Sequence, residues 1–357
     1  MRNRYFDLLR AIAIVRVVVY HSTESAWMSI IFPSMGVMFA LGGSLMAASL
    51  DKRGLTAVLS RIRRILPPLW ILALAFVPAM LLTGLALDWD LLYWVVPLQD
   101  PPTNGWGMGA LLTLWYLREY LWFVLLSPAA LWLFRRWPLP TLMAPFIILI
   151  ATKEGVPSTS VVDDFGQYFG CWLLGFAHYD GLLKRMKRSA LIAVAAVLGT
   201  AGAVWFTTHP DPIKGYHLGD IPIGDSLWSM AFVLVLLGLA PSKAEWVDRW
   251  KPVSRVVTAL NSRAMTVYLW HKAVIIGCGV LVGFHWWEDG IGPLSMWLAM
   301  VGAGVLVCVL AFGWVEDFAA RRRPVLLPGV EQWWGARTPA PLPRRRVDSA
   351  RAEAGRV

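Results

Sequence analysis

The basic residues of this 357-residue chain gather in every second loop, and that alternation constrains the fold more than any other feature. Apolar runs lie near residues 6–22, 30–50, 65–87, 112–134, 139–152, 165–180, 189–207, 226–241, 264–285 and 293–315. A helix needs about 20 residues to cross the hydrocarbon core. Most of the runs approach that length; the fifth and sixth are short or polar. With the N-terminus placed inside, one set of loops collects Lys52, Arg53, Arg61, Arg63 and Arg64, then Arg135 and Arg136, then Lys184, Arg185, Lys187 and Arg188, then Lys243, Arg249, Lys251, Arg255 and Arg263. The other loops hold only Lys153 and Lys214 as basic residues, beside acids such as Asp88, Asp90, Asp100, Asp164 and Asp225. Basic residues favour the cytoplasmic side. The expected fold is therefore an all-α polytopic membrane protein with about ten transmembrane helices and both termini cytoplasmic. Its expected place is the plasma (inner) membrane.

Composition agrees. Apolar residues make up 57% of the chain, charged residues 16%, and mean hydropathy is +0.55. Soluble domains average about 45–50% apolar. The net charge of +10 follows from basic cytoplasmic loops and calls for no nucleic-acid partner. Cys171, Cys278 and Cys308 all fall in apolar stretches at unrelated spacings, so neither a disulfide framework nor a metal site is expected. Arg16 interrupts the first run, which reads as a retained helix rather than a cleaved signal. Residues 1–320 are expected to form the membrane domain. Residues 321–357, rich in Pro and Arg, are expected to form a disordered cytoplasmic tail.

The first run, "LLRAIAIVRVVVYHSTE", carries Arg10, Arg16, His21 and Glu24. Ionisable groups inside a span face a bundle interior or a wet cavity. At 100° per residue, Arg10 and His21 lie within ~20° of one another, three turns apart. Arg16 points ~120° away, and Glu24 stands one turn beyond His21. Arg10 and His21 therefore line one stripe, read as the wall of a passage.

Four further stretches carry chemistry. In "LSRIRRILPPLW", Arg61, Arg63 and Arg64 precede Pro67 and Pro68, which are expected to break the start of the third helix. Guanidinium forks suit phosphate. "LLTLWYLREYLWF" holds Trp115, Tyr116, Arg118 and Glu119. Arg118 and Glu119 are adjacent and point in different directions, so each is expected to find its partner on another helix. "AMTVYLWHKAV" puts Tyr268 and His271 on one helix face. Trp106 and Trp286–Trp287 are candidate stacking residues for a sugar, with membrane-interface anchoring as the alternative.

These motifs resemble the acyltransferase 3 family of integral membrane acyltransferases. "FDLLRAIAIVRVVVYH" is similar to its opening signature of a basic residue, ten residues and a histidine. "GVMFALGGSLMAASL" resembles its second-helix region, Arg61 and Arg64 its paired arginines, "LWYL" and "VYLWH" two later segments, and "WVEDFAARRRP" its closing stretch. The resemblance covers about residues 3–324. It departs where Gly43–Ser44 reverses the family's serine-glycine pair. It departs again where Tyr120 stands at the place of a glutamate that many relatives carry.

The resemblance implies acyl transfer, often of acetyl, from acyl-CoA to a hydroxyl of a carbohydrate or other small acceptor. No metal is implied. On this reading His21, Arg10 and Glu24 are catalytic, with His21 either a general base or a covalent acyl carrier. Glu24 would orient the imidazole. Arg16, Arg61 and Arg64 would bind the donor. Trp115, Tyr116, Arg118, Tyr268 and His271 would line the pore or the acceptor site. Two alternatives stay open: a transporter of a hydrophilic or anionic substrate, and a non-catalytic membrane relative.

Overall fold

The computed structural model describes residues 3–326 and 328, except residues 242–245, 286–287 and 289. Trp286–Trp287 and the tail from residue 329 on thus lie outside the described residues.

Backbone N–H and C=O groups find no partner in lipid, so an apolar chain satisfies them within helices. Ten long helices form where the ten apolar runs fall: α1 Arg4–Thr23, α2 Ser34–Arg53, α3 Thr56–Leu82, α4 Met108–Arg136, α5 Pro138–Lys153, α6 Ser160–Tyr179, α7 Arg188–Thr208, α8 Pro222–Gly238, α9 Ala264–Val282 and α10 Ile291–Phe312. Among the described residues there is no β-strand. Among the described residues, six helices are long and apolar enough to cross a membrane: Trp27–Arg53, which takes in α2, together with α3, α4, α7, α9 and α10. The protein is an all-α membrane protein.

The first helix is fixed at both ends. Asn3 caps it by accepting from the N–H groups of Tyr5 and Phe6. Glu24 ends it in the left-handed region at φ 49°, donating its N–H to the Tyr20 carbonyl at 2.7 Å. The Trp297 indole donates to the Ser22 carbonyl at 2.9 Å and so satisfies one acceptor of the last turn.

Small residues bring α2 and α6 into backbone contact. A Cβ on Gly43 would collide with the Trp172 carbonyl oxygen, and one on Gly175 with the Ala40 carbonyl oxygen. Membrane helices pack closely in this way. Around this contact Phe39, Phe123, Tyr116 and Tyr168 form a buried aromatic cluster. By contrast, the most apolar windows of α7 and α10 are only 17% buried, which leaves their surfaces for lipid.

The third helix departs from expectation. It starts at Thr56 and runs through Pro67, Pro68 and Pro78 without a break. Proline at 67 and 68 removes the bonds to the carbonyls of Arg63 and Arg64 but does not end the helix. Membrane helices tolerate this where neighbours re-satisfy the freed groups. Arg61 and Arg64 consequently sit three residues apart on one helical face instead of on a loop.

Two helices stand where a loop was expected: Trp246–Arg249 and the amphipathic Lys251–Ser262. The end of the bundle is locked by Arg263, whose guanidinium pairs with Asp317 at 2.7 Å, both groups buried. Arg263 also donates to the Val325 carbonyl, and the Val325 N–H donates to Asp317. Residues 321–325, expected as tail, are therefore tied to the bundle.

Candidate active site

Helix α1 contributes to two cavities with polar linings. The first, of about 400 Å³, is lined by Arg10 of α1, Arg61 and Arg64 of α3, Tyr116 and Tyr120 of α4, Tyr268 of α9 and Arg322. Arg61 Nη1 donates to the Tyr120 hydroxyl at 3.0 Å. Arg61 Nη2 reaches Ser49 Oγ at 3.4 Å. Arg10 Nη1 lies 3.5 Å from Asn261 Oδ1, and Asn261 is itself held by its bond to the Asp7 carbonyl at 2.7 Å. Arg63, on the same helix, is exposed and does not line the cavity.

Asp7, Glu316 and Asp317 are the acids of this cavity's lining. Glu316 lies beyond the last span and caps α9. Its Oε1 accepts from the Thr266 N–H at 2.8 Å and from the Thr266 hydroxyl at 2.7 Å. Burial outweighs these bonds and pushes the Glu316 carboxyl up to about 7.

The second cavity, of about 720 Å³, is lined by Arg16, Tyr20, His21 and Glu24 of α1 and its cap, Trp115, Asp164, Gln167 and Tyr168, the loop residues Lys214, His217 and Asp220, Asp225 and Ser229 of α8, and Tyr268 and Lys272 of α9. His21 is half-buried, with its ring 5.0 Å from that of Tyr20 and 5.2 Å from that of His271, centroid to centroid. The Tyr20 hydroxyl meets His217 Nδ1 at 3.3 Å. Lys214 pairs with Asp220 at 2.7 Å, and that bond raises its ammonium above the usual lysine range.

Tyr268 lines both cavities, so the arginine cluster and His21 open toward one shared side chain. Residues 3–313 match the family profile described as an acyltransferase domain. The chain belongs to the acyltransferase 3 family. It is a membrane acyltransferase, which sets aside the transporter reading. No curated protein and no solved structure matches it.

The sequence-expected residues of this acyltransferase divide unevenly between the cavities. Arg10, Arg61, Arg64 and Tyr116 meet in the first, while His21, Glu24 and Trp115 meet in the second. Arg16 does not join Arg61 and Arg64. It lines the His21 cavity, where it donates to Ser29 Oγ at 2.5 Å and to the Met28 carbonyl at 3.3 Å and lies over the Tyr20 ring. Six residues of helix, a rise of about 9 Å, carry it beyond the level of Arg10 to the His21 cavity. Glu24 is an exposed helix cap, and among the described residues no hydrogen bond joins it to His21.

Arg118 lines neither cavity. It is 1% exposed and bonds directly to its neighbour, Nε to Glu119 Oε1 at 3.0 Å. It also holds Ser160 and the carboxylates of Asp100 and Asp164. Arg118 thus finds the expected partners on another helix, Ser160 and Asp164 of α6, whereas the partner of Glu119 is its own neighbour, because a long guanidinium can fold back over one residue while reaching others. Trp106 is 65% exposed and lies outside both linings.

A buried polar group on α6 and α8 escaped the sequence reading. Asp225 Oδ1 accepts from Ser229 Oγ at 2.9 Å, and its Oδ2 accepts from Gln167 Nε2 at 2.8 Å. Gln167 also reaches Tyr168 and the Gly219 carbonyl, which ties the loop over the cavity to its wall. Asp225 had been counted among loop acids. The available signal was its place inside the apolar run "IPIGDSLWSMAF".

Proposed function

We propose that this acyltransferase moves an acyl group, acetyl in the simplest case, from cytoplasmic acyl-CoA to a hydroxyl of a carbohydrate or another small acceptor. The observation that carries the reading is Tyr268, common to a cavity rimmed by arginines and a cavity holding His21. All ten helices span the membrane in this reading, with both termini cytoplasmic, in keeping with the alternating loop charges.

The nucleotide phosphates of the donor dock on Arg61 and Arg64, whose guanidinium forks match phosphate. The thin pantetheine arm then follows α1. Eleven residues of helix from Arg10 to His21 give a rise of about 16 Å for it to cover. The thioester passes Tyr268 and stops beside His21. The acceptor fills the larger cavity, whose 720 Å³ lies within the ~300–1,000 Å³ range of small-molecule sites.

His21 takes the proton of the acceptor hydroxyl as its oxygen attacks the thioester carbonyl carbon. The C–S bond breaks, and the leaving thiolate takes the proton from His21 to become the CoA thiol. Arg16 and Lys272 supply positive charge in the same cavity for the oxyanion that forms on the way. Incubating the detergent-purified protein with labelled acetyl-CoA tests the reading. Release of thiol with transfer or hydrolysis of label supports it; inert binding, or none, argues for a non-catalytic relative.

A further inference from the structure

His271 of α9 is 1% exposed, and its Nδ1 lies 2.6 Å from the backbone carbonyl oxygen of Tyr268. A carbonyl oxygen only accepts, so Nδ1 carries the hydrogen. In a neutral imidazole the other nitrogen is then an acceptor without a hydrogen of its own. That nitrogen, Nε2, is buried and has no hydrogen-bond partner. Leaving such a group unpaired carries a desolvation penalty, and native folds seldom do so without a role for it.

The His21 ring lies beside it, with centroids 5.2 Å apart and planes 34° apart. Among the described residues His21 makes no hydrogen bond either, and Glu24 does not supply one. Two imidazoles with unused nitrogens thus stand next to each other, His21 in the cavity wall and His271 buried outside the lining. One has its tautomer already fixed by a backbone carbonyl.

We propose that His271 is the positioning residue of His21: its Nε2 accepts the hydrogen on one His21 ring nitrogen and leaves the other as the bare nitrogen aimed into the cavity. This rests on the reading of His21 as the general base. Catalytic hydrogen bonds are often long in empty sites and tighten in the substrate complex. His271 takes the part that a carboxylate plays in a serine triad, holding tautomer and orientation. It does so without placing a further negative charge inside the span. The chain Tyr268 C=O, His271, His21 then aligns the base with Tyr268, the residue that both cavities share. During transfer the acceptor's proton moves to the bare His21 nitrogen and on to the leaving thiolate, while the hydrogen between the two histidines stays in place.

The test uses the full-length protein in detergent with two readouts. One is thiol release from acetyl-CoA; the other is carbethoxylation of His21 by diethyl pyrocarbonate, followed by peptide mass spectrometry. His271→Phe keeps a ring but has no acceptor, and His271→Leu is a second acceptor-free replacement should the first not fold. His271→Gln puts an amide oxygen near the Nε2 position. The acceptor-free variants should slow both readouts by ~100-fold, against the ~10⁴-fold lost when a triad's orienting carboxylate is neutralised. His271→Gln should stay within about tenfold of wild type, with CoA affinity unchanged in every variant. A merely structural role predicts no such rescue. If His21→Ala abolishes thiol release while the acceptor-free variants keep wild-type values in both readouts, the positioning role is overturned and the reading of His21 stands. If His21→Ala keeps its release, the reading of His21 fails. Carbethoxylation in the His271 variants then still decides whether the two rings are paired.

Discussion

Tyr268 lies in the walls of both cavities, and its ring packs against that of Tyr116 with centroids 4.9 Å apart. The pair stands between the arginines that would hold a nucleotide and the histidine that would receive the thioester. Tyr268→Trp puts extra volume at that point. Overpacking a buried site itself costs about 1–3 kcal/mol, so the folded fraction is the material to assay. Thiol release from acetyl-CoA should fall by about tenfold or more, as a ~1 Å misplacement of reacting groups does, with CoA affinity unchanged. Wild-type release would mean that the donor does not pass Tyr268.

The arginines make a separable prediction. Charge-assisted hydrogen bonds contribute about 1.5–3 kcal/mol each, so Arg61→Ala and Arg64→Ala should each weaken CoA binding roughly 10- to 150-fold by titration calorimetry. Arg63→Ala is the control: it sits on the same helix but off the cavity. Equal losses in all three would assign the cluster to net charge rather than to a site.

Glu316 predicts a pH dependence of stability. Its carboxyl, at about 7 in the fold, lies above the ordinary value of 4.5 because burial penalises its charge. Between those values the folded chain holds a proton that the unfolded chain releases. Stability is therefore undiminished below pH 4.5, falls as pH rises through the window, and is fully reduced above pH 7. The loss is at most ~3 kcal/mol, at 1.36 kcal/mol per unit. Glu316→Gln keeps an oxygen for Thr266 but cannot ionise. Melting curves from pH 5 to pH 8 should show wild type declining relative to the variant; parallel curves would contradict this.

The α2–α6 contact predicts a purely structural defect. Gly43→Val would push a side chain into the Trp172 carbonyl. Overpacking costs of about 1–3 kcal/mol should appear as a lower melting temperature in detergent, while CoA affinity of the folded fraction is retained. This gives the family's second-helix glycines in this chain a packing role.

Helix positions were legible because apolar runs of about 20 residues have one stable outcome in lipid. The start of α3 was not, because Pro67–Pro68 reads as a break in water and is carried through in the bundle. Helix geometry put Arg10 and His21 on one stripe, but the two residues line different cavities. The partners that give those residues their surroundings came from distant segments: Asn261 for Arg10, Tyr120 for Arg61 and His271 for His21. Asp225 was missed for the same reason, since Gln167 stands 58 residues away in sequence. Periodicity within one helix shows which face a residue takes, but not what meets it there.

The central claim is that His21 performs the transfer at the far end of a donor path that starts at Arg61 and Arg64. The most direct measurement is turnover of labelled acetyl-CoA by His21→Ala, alongside CoA binding. Loss of a general base lowers rates by about 10²- to 10⁴-fold, so the account predicts a fall of that size with CoA affinity preserved. Turnover near wild type by a folded, CoA-binding His21→Ala protein would contradict it.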